Sequence, residues 1–226
     1  MEFDFDTRPS DSPLVEAIWR TQTERGGSFI STAVSPWEMV ITKQRDKITL
    51  SIRGPETKAS PAPIPRGHVE YVGIIFKRGV LMPQLPKQDL VNGAVHLPGS
   101  TKNSFWLQGS AWQFPDFENA DTFVDQLARA DLLTQDQVVE DVLRGQPQAL
   151  SLRSLQRRFL YVTGLTYKAI QQIERARHAL ALLKSGIPIP ETAYRAGYFD
   201  QPHLTRSLKL FAGQTPAEIL KSSQTE

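Results

Sequence analysis

The chain has 226 residues, enough for one large or two modest domains, each with a buried core. It contains no cysteine, which excludes disulfides, thiol chemistry and cysteine-ligated zinc. Net charge is +2, unevenly divided: residues 150–226 hold 11 Lys/Arg against 5 Asp/Glu, net +6, and residues 1–149 hold 15 against 19, net −4. A positive field on the C-terminal third suits a phosphate-bearing partner. No apolar run reaches the ~18 residues of a membrane span, and the acidic, aromatic start is unlike a signal peptide. A cytoplasmic location without a membrane partner is therefore expected.

Residues 1–12 read as a flexible lead-in rich in Asp, Ser and Pro. Leu14–Trp19 is a first apolar segment, either a helical turn or a strand. From Gly26 the pattern turns to short strands: Phe29–Trp37, Glu38–Gln44, and Lys47–Arg53 with Ile48, Leu50 and Ile52 on one face. Gly54–Gly67 holds four prolines and reads as a loop. Val69–Lys77 is the most apolar strand and the candidate for the sheet centre. Further strands are expected around Ala94–Leu97 and Ser104–Trp112. This punctuation suggests a small β-barrel or sandwich.

After Pro115 the periodicity becomes helical. Phe117, Ala120, Val124, Leu127 and Ala128 mark one helix face, and Thr134 is the candidate cap of a second helix, stopped by Gly145. Thr166 opens a long helix to Ser185, with Ile170, Ile173, Ala176, Leu180 and Leu183 inward. The expected division is residues 1–115, a connecting helix over 116–133, and 134–226. The fold class is α+β: an N-terminal small β-barrel or sandwich domain followed by an all-α domain.

The C-terminal third repeats itself. Leu155-Gln-Arg-Arg-Phe159 through Gly164-Leu-Thr166 overlays Leu204-Thr-Arg-Ser-Leu208 through Gly213-Gln-Thr215 at a constant offset of 49 residues. Each copy has the grammar of a short helix. Ser151 and Asp200 suit an N-cap, Pro202 suits a first turn, and Gly164 and Gly213 suit a C-terminal stop. Leu152, Leu155 and Phe159 form one apolar stripe; Leu204, Leu208 and Phe211 form the other. The opposite faces carry Arg153, Gln156 and Arg157, and Gln201, Thr205, Arg206 and Lys209. Arginine and glutamine are the residue types that read guanine and adenine edges in a major groove. Pro190–Gly197 reads as a short helix followed by a tight turn into Asp200, which is helix-turn-helix spacing. The first copy shows no equivalent: the offset puts Arg144 and Gln148 where Ala193 and Gly197 stand, with Pro147 inside the would-be helix. The first unit is thus expected to be truncated or irregular, with a weaker base contact from Arg157 than from Arg206.

The stretches Leu155-Gln-Arg-Arg-Phe159 to Gly164 and Ala193-Tyr-Arg-Ala-Gly197-Tyr-Phe-Asp-Gln-Pro-His-Leu204-Thr-Arg206 to Pro216 resemble the DNA-binding module of AraC/XylS-type transcription regulators. The resemblance covers roughly the last third of the chain. It implies two helix-turn-helix units on a long connecting helix, bound to successive major-groove segments of one DNA face. By position it implies base-facing roles for Arg153, Gln156 and Arg157, and for Gln201, Pro202, Thr205 and Arg206. It is also compatible with a ligand-sensing or dimerising β-domain ahead of them. Arg158, Lys168 and Lys209 are expected to neutralise phosphates, and His203 is expected to make a phosphate contact.

Elsewhere the chemistry is sparse. His68 and Glu70 could share one strand face, but a metal site needs three or four convergent ligands and no His-x-His pairs with them. Trp19, Trp37, Phe76, Trp106 and Trp112 could line a ligand pocket or form the core of a small barrel. No catalytic residue, metal or cofactor is expected. The expected partner is double-stranded DNA; a small-molecule effector, RNA polymerase and a second copy of the chain are the further partners considered. The competing readings are a metal-binding cupin-like enzyme, or a protein-interaction module, carrying a DNA-binding tail.

Overall fold

A computed structural model describes residues 4–85, 87–146 and 148–223. Pro147, part of the expected irregular first unit, lies outside these residues, as do residues 1–3 of the expected lead-in. The chain is α+β, with its strands ahead of its main helices.

The first strands are β1 (Asp6–Arg8), β2 (Val15–Thr23), β3 (Gly27–Ser31), β4 (Glu38–Gln44), β5 (Lys47–Arg53), β6 (Ser60–Ile64), β7 (Val69–Phe76) and β8 (Val80–Leu81). After a short helix α1 (Lys87–Leu90) come β9 (Ala94–Leu97), β10 (Gly99–Thr101), β11 (Ser104–Leu107) and β12 (Ser110–Gln113). Helix α2 (Ala120–Arg129) and strand β13 (Thr134–Gln135) lead to helices α3 (Gln137–Leu143), α4 (Leu152–Thr163), α5 (Tyr167–Lys184), α6 (Ile189–Arg195), α7 (Gln201–Phe211) and α8 (Pro216–Ser223).

Six strands form one antiparallel sheet in the order β1-β2-β7-β4-β5-β9. It is an open sheet and not a closed barrel, and β7 lies inside it as its apolar sequence suggested. Its register is set by alternation, because a slip of one residue would turn every apolar side chain outward. Ile18, Ile74, Met39, Ile52 and Val95 make one row across five strands. That face is buried together with Phe105 and Leu107 of β11 and Phe123, Val124 and Leu127 of α2. On the other face Trp19 lies across Gly73, where a Cβ would stand 2.0 Å from the indole ring. Its Nε1 donates to Glu38 at 3.1 Å.

Several sequence expectations are corrected. Residues 6–8 belong to a paired strand, and Arg8 donates to the Phe117 carbonyl and pairs with Asp121 at 2.7 Å. Leu14–Trp19 falls largely in strand β2. The strand region expected around Ser104–Trp112 is a hairpin turned by Gln108 and Gly109, both at positive φ. The proline-rich stretch before Gly67 contains β6, which among the described residues pairs with β3 alone, and an edge strand tolerates proline because it need not donate on both sides. Thr134 is not a helix cap: it pairs with Leu81 in β13, and Asp136 caps α3 through Val139 N at 3.0 Å.

The chain packs as two compact units that cross the sequence order. One holds residues 1–27, 36–55 and 63–165; the other holds 28–35, 56–62 and 166–226. In the first, α4 packs against α3, α1 and β8. In the second, α5 carries α6, α7 and α8 on one buried cluster that includes Ala179, Leu183, Ala193, Leu204, Leu208 and Ile219.

Candidate nucleic-acid interface

Helix α4 is bounded by side-chain and glycine chemistry. The Ser151 hydroxyl accepts from Ser154 N at 3.2 Å, and Gly164 ends the helix at φ 74°, a conformation cheap only for glycine. Phe159 and Val162 are buried and Leu155 is half-buried. Leu152, expected on the buried stripe, is 80% exposed. The stripe therefore runs 155–159–162, starting three residues later than the sequence pattern suggested. Arg153, Gln156 and Arg157 are all exposed.

A scaffold helix does precede α4, within the 134–145 stretch expected to be helical but not where the 49-residue offset puts it. It is α3, with Val139 buried and Gly145 at φ 76° just after the helix. Eight residues, 144–151, separate α3 from α4, against five, 196–200, between α6 and α7. The extra three residues place the scaffold upstream of where the 49-residue offset looks for it. Arg158 is exposed but engaged: its Nε donates to both carboxylate oxygens of Asp136, at 2.7 and 2.9 Å. Asp136 thus caps α3 and ties α4 to it. Sequence reading missed this residue, although aspartate is the better N-cap type beside a nearby threonine.

The second head is built in the same way. Asp200 accepts from His203 N at 2.7 Å, and Pro202 occupies the first turn of α7. Leu204 and Leu208 are fully buried. Gln201, Pro202, Arg206 and Lys209 are exposed. Thr205 is half-buried, and its hydroxyl donates back to the Gln201 carbonyl at 2.9 Å. His203 is half-buried with its ring edge-on to Tyr198, centroids 5.1 Å apart. Tyr198 in turn shares a 2.8 Å hydrogen bond with Ser207 and lies under the Arg175 guanidinium of α5, 4.8 Å from the ring centroid. This Arg175–Tyr198 stack, invisible as a sequence pattern, fixes the α6–α7 turn onto the long helix.

The closing Gly-Gln-Thr-Pro run has a local explanation. Gly213 turns the chain at φ 73°. Thr215 and Glu218 then form a capping box: Thr215 N donates to Glu218 at 2.7 Å, and Glu218 N donates to the Thr215 hydroxyl at 3.3 Å. The Thr215 amide also holds the Glu218 carboxyl below its ordinary pKa of 4.5. Pro216 opens α8. Helix α5, next after α4 in the sequence, is 18 residues or about 27 Å long, capped by Thr166, with Lys168 exposed in its first turn.

The aromatic candidates do not line a common pocket. Trp37 and Phe76 stack at 4.0 Å inside the core, and Trp37 Nε1 donates to Val80 O at 2.8 Å. Trp112 meets Phe123 edge-on, Trp19 lies on the other face of the sheet, and Trp106 is 45% exposed. Trp37 lines a narrow apolar cleft with Pro55, Leu81, Met82, Leu85 and Leu90, completed by Val162 and Thr163 of α4. His68 is held by two carboxylates, Nδ1 to Glu24 at 2.8 Å and Nε2 to Glu70 at 3.2 Å. These pairs raise its pKa above 6.5, Glu24 contributing most. Among the described residues, no three His, Cys, Asp or Glu are grouped to hold a metal, and no helix is long and apolar enough to cross a membrane.

Two capped helices, each following a scaffold helix and each exposing arginine and glutamine, define a helix-turn-helix protein. Residues 148–222 match a family model described as a helix-turn-helix domain. Comparison with curated proteins gives no match. Among solved structures the chain is similar to ToxT from Vibrio cholerae in its P21 crystal form, at 10% identity and a TM-score of 0.44, covering 96% of this chain and 98% of that one. It is also similar to ToxT from Vibrio cholerae O395, at 10% identity and a TM-score of 0.45, covering 96% and 97%. A third similar structure is wild-type ToxT of strain SCE256 bound to an unsaturated fatty acid, at 10% identity and a TM-score of 0.42, covering 97% and 96%.

Proposed function

We propose that the chain is a sequence-specific DNA-binding transcription regulator that reads bases with α4 and α7. The observation that carries this is the repeated helix: the same cap, stop and exposed arginine recur 49 residues apart, Arg157 in α4 and Arg206 in α7. Arginine on such a helix can make a bidentate contact to guanine, and Gln156 and Gln201 suit adenine. Lys168 and Lys209 supply phosphate contacts, which position without specifying. Arg158 joins them only by exchanging Asp136 for a phosphate. The test is binding of the full chain to duplex DNA across salt concentrations. Affinity should fall steeply as salt rises, with a slope near 0.9 per neutralised phosphate. Salt-independent binding would remove the reading.

Control by a small apolar molecule is the second part of the proposal: the cleft bounded by Trp37 and the end of α4 is apolar, but at about 20 Å³ it would have to open to admit one. An apolar ligand there would touch Val162 and Thr163, in the last turn of the first reading helix. A thermal-shift screen with small apolar compounds tests it; consistent absence of stabilisation leaves protein contacts as the role of the N-terminal region. Stoichiometric metal in purified protein, lost on His68→Ala, would instead favour the metal-enzyme reading.

A further inference from the structure

The last turn of α7 is closed by residues far away in sequence. A helix leaves its final carbonyls without intrahelical partners. Here the Leu210 carbonyl accepts from Ala59 N at 2.8 Å, and the Phe211 carbonyl accepts from Ala33 N at 2.7 Å. The turn that follows is packed by the same segments: a Cβ on Gly213 would stand 2.8 Å from Ile30 Cγ2 and 3.3 Å from Ala59 Cβ.

The donors belong to a ribbon. Strands β3 and β6 pair, and beyond them Val34 and Glu56 bond each other's backbones at 3.0 and 2.9 Å. Ser31 donates to Glu56 at 2.8 Å, while Ser35 donates to Glu174 of α5 at 2.5 Å. The ribbon therefore holds both α5 and α7. Its connectivity is also specific. Segment 28–35 lies between β2 and β4, and segment 56–62 lies between β5 and β7. These four strands are neighbours in the six-stranded sheet.

We infer that segments 28–35 and 56–62 are a positioning part of the second reading head, fixing the exit of α7 and hence the aim of Arg206. This rests on the DNA-binding reading above. The ribbon need not touch DNA. Its role is to order the reading helix before binding, so that little contact energy goes into ordering it at the encounter. The second head is then discontinuous in sequence.

The test uses the full chain and a DNA site selected by it. Ala59→Pro removes the amide that meets Leu210 O; Ala59→Ser keeps it. Ala59→Pro should weaken the selected site about tenfold, the order of one lost hydrogen bond. It should abolish discrimination at the base whose recognition Arg206→Ala also abolishes. It should spare the base dependent on Arg157, and leave affinity for random DNA and the salt slope unchanged. Ala59→Ser should behave as the parent. Parent-like site binding by Ala59→Pro, or equal loss at both bases, would overturn the inference. A second measurement stands if the proline variant does not fold: hydrogen exchange of the parent. The Ala33 and Ala59 amides should exchange as slowly as those of Leu204–Leu208; loop-like exchange there beside a protected α7 would overturn it. If the parent binds no DNA, the DNA reading fails, while exchange still reports on the ribbon.

Discussion

Arg157→Ala and Arg206→Ala should cost nearly the same. Both side chains are exposed, at equivalent places on their helices. Removing either should leave folding within about 0.5 kcal/mol, as for other surface changes. Each head has its N-cap bond, Ser151 to Ser154 N at 3.2 Å and Asp200 to His203 N at 2.7 Å. Each has a left-handed glycine after its helix, at φ 74° and 73°, and a buried anchor in Phe159 or Leu208. A bidentate arginine–guanine contact contributes about 1–3 kcal/mol, so each alanine should weaken a selected site about 5- to 150-fold. With both helices similarly held, the two losses should agree within about fivefold, less than 1 kcal/mol. The assay is anisotropy titration of both variants on the selected duplex and on random DNA. Random-DNA affinity should fall far less than site affinity. A tenfold or larger gap between the variants would show that the longer α3–α4 connection leaves α4 loosely held, and would refute the argument from caps and anchors.

Three further outcomes are expected. Asp200→Ala removes the α7 cap and should lower stability by about 1 kcal/mol, while Asp200→Asn should retain most of it; chemical denaturation of the full chain checks both. Gly73→Ala forces a methyl into the Trp19 ring and should cost about 1–3 kcal/mol with a shifted tryptophan emission, whereas Gly27→Ala, which meets nothing within 4 Å, should not shift it. His68 should titrate above 6.5 by NMR, and Glu24→Gln should lower it more than Glu70→Gln. Because the folded value is raised, these pairs help the fold below pH 6.5 and their help fades as pH rises through the raised value. An unchanged His68 titration in Glu24→Gln would contradict the assignment.

What was legible in the sequence was chemistry that acts within a few residues. Ser151, Thr166 and Asp200 cap where their side chains can reach the next turn, and Gly164 and Gly213 stop helices because they alone accept positive φ cheaply. The alternation of Ile48, Leu50 and Ile52 likewise gave the buried face of β5. What was not legible depended on distant partners. Prolines hid β6 because its pairing, with β3 alone among the described residues, is one-sided. The last α7 carbonyls are met by Ala33 and Ala59, whose own sequence surroundings say nothing about a helix. The scaffold α3 escaped a strict repeat because the connection after it is three residues longer. The five aromatic candidates separated because rings of one type serve the core, the far sheet face and the surface alike.

The most direct test of the central claim is selection of bound duplexes from a random pool by the full chain at physiological salt. A bipartite site should be enriched, two short elements about one helical turn, ~10 base pairs, apart. One element should lose its preference in Arg157→Ala and the other in Arg206→Ala. Recovery of a pool with no enriched sequence, or of a site whose two elements both survive both substitutions, would contradict it.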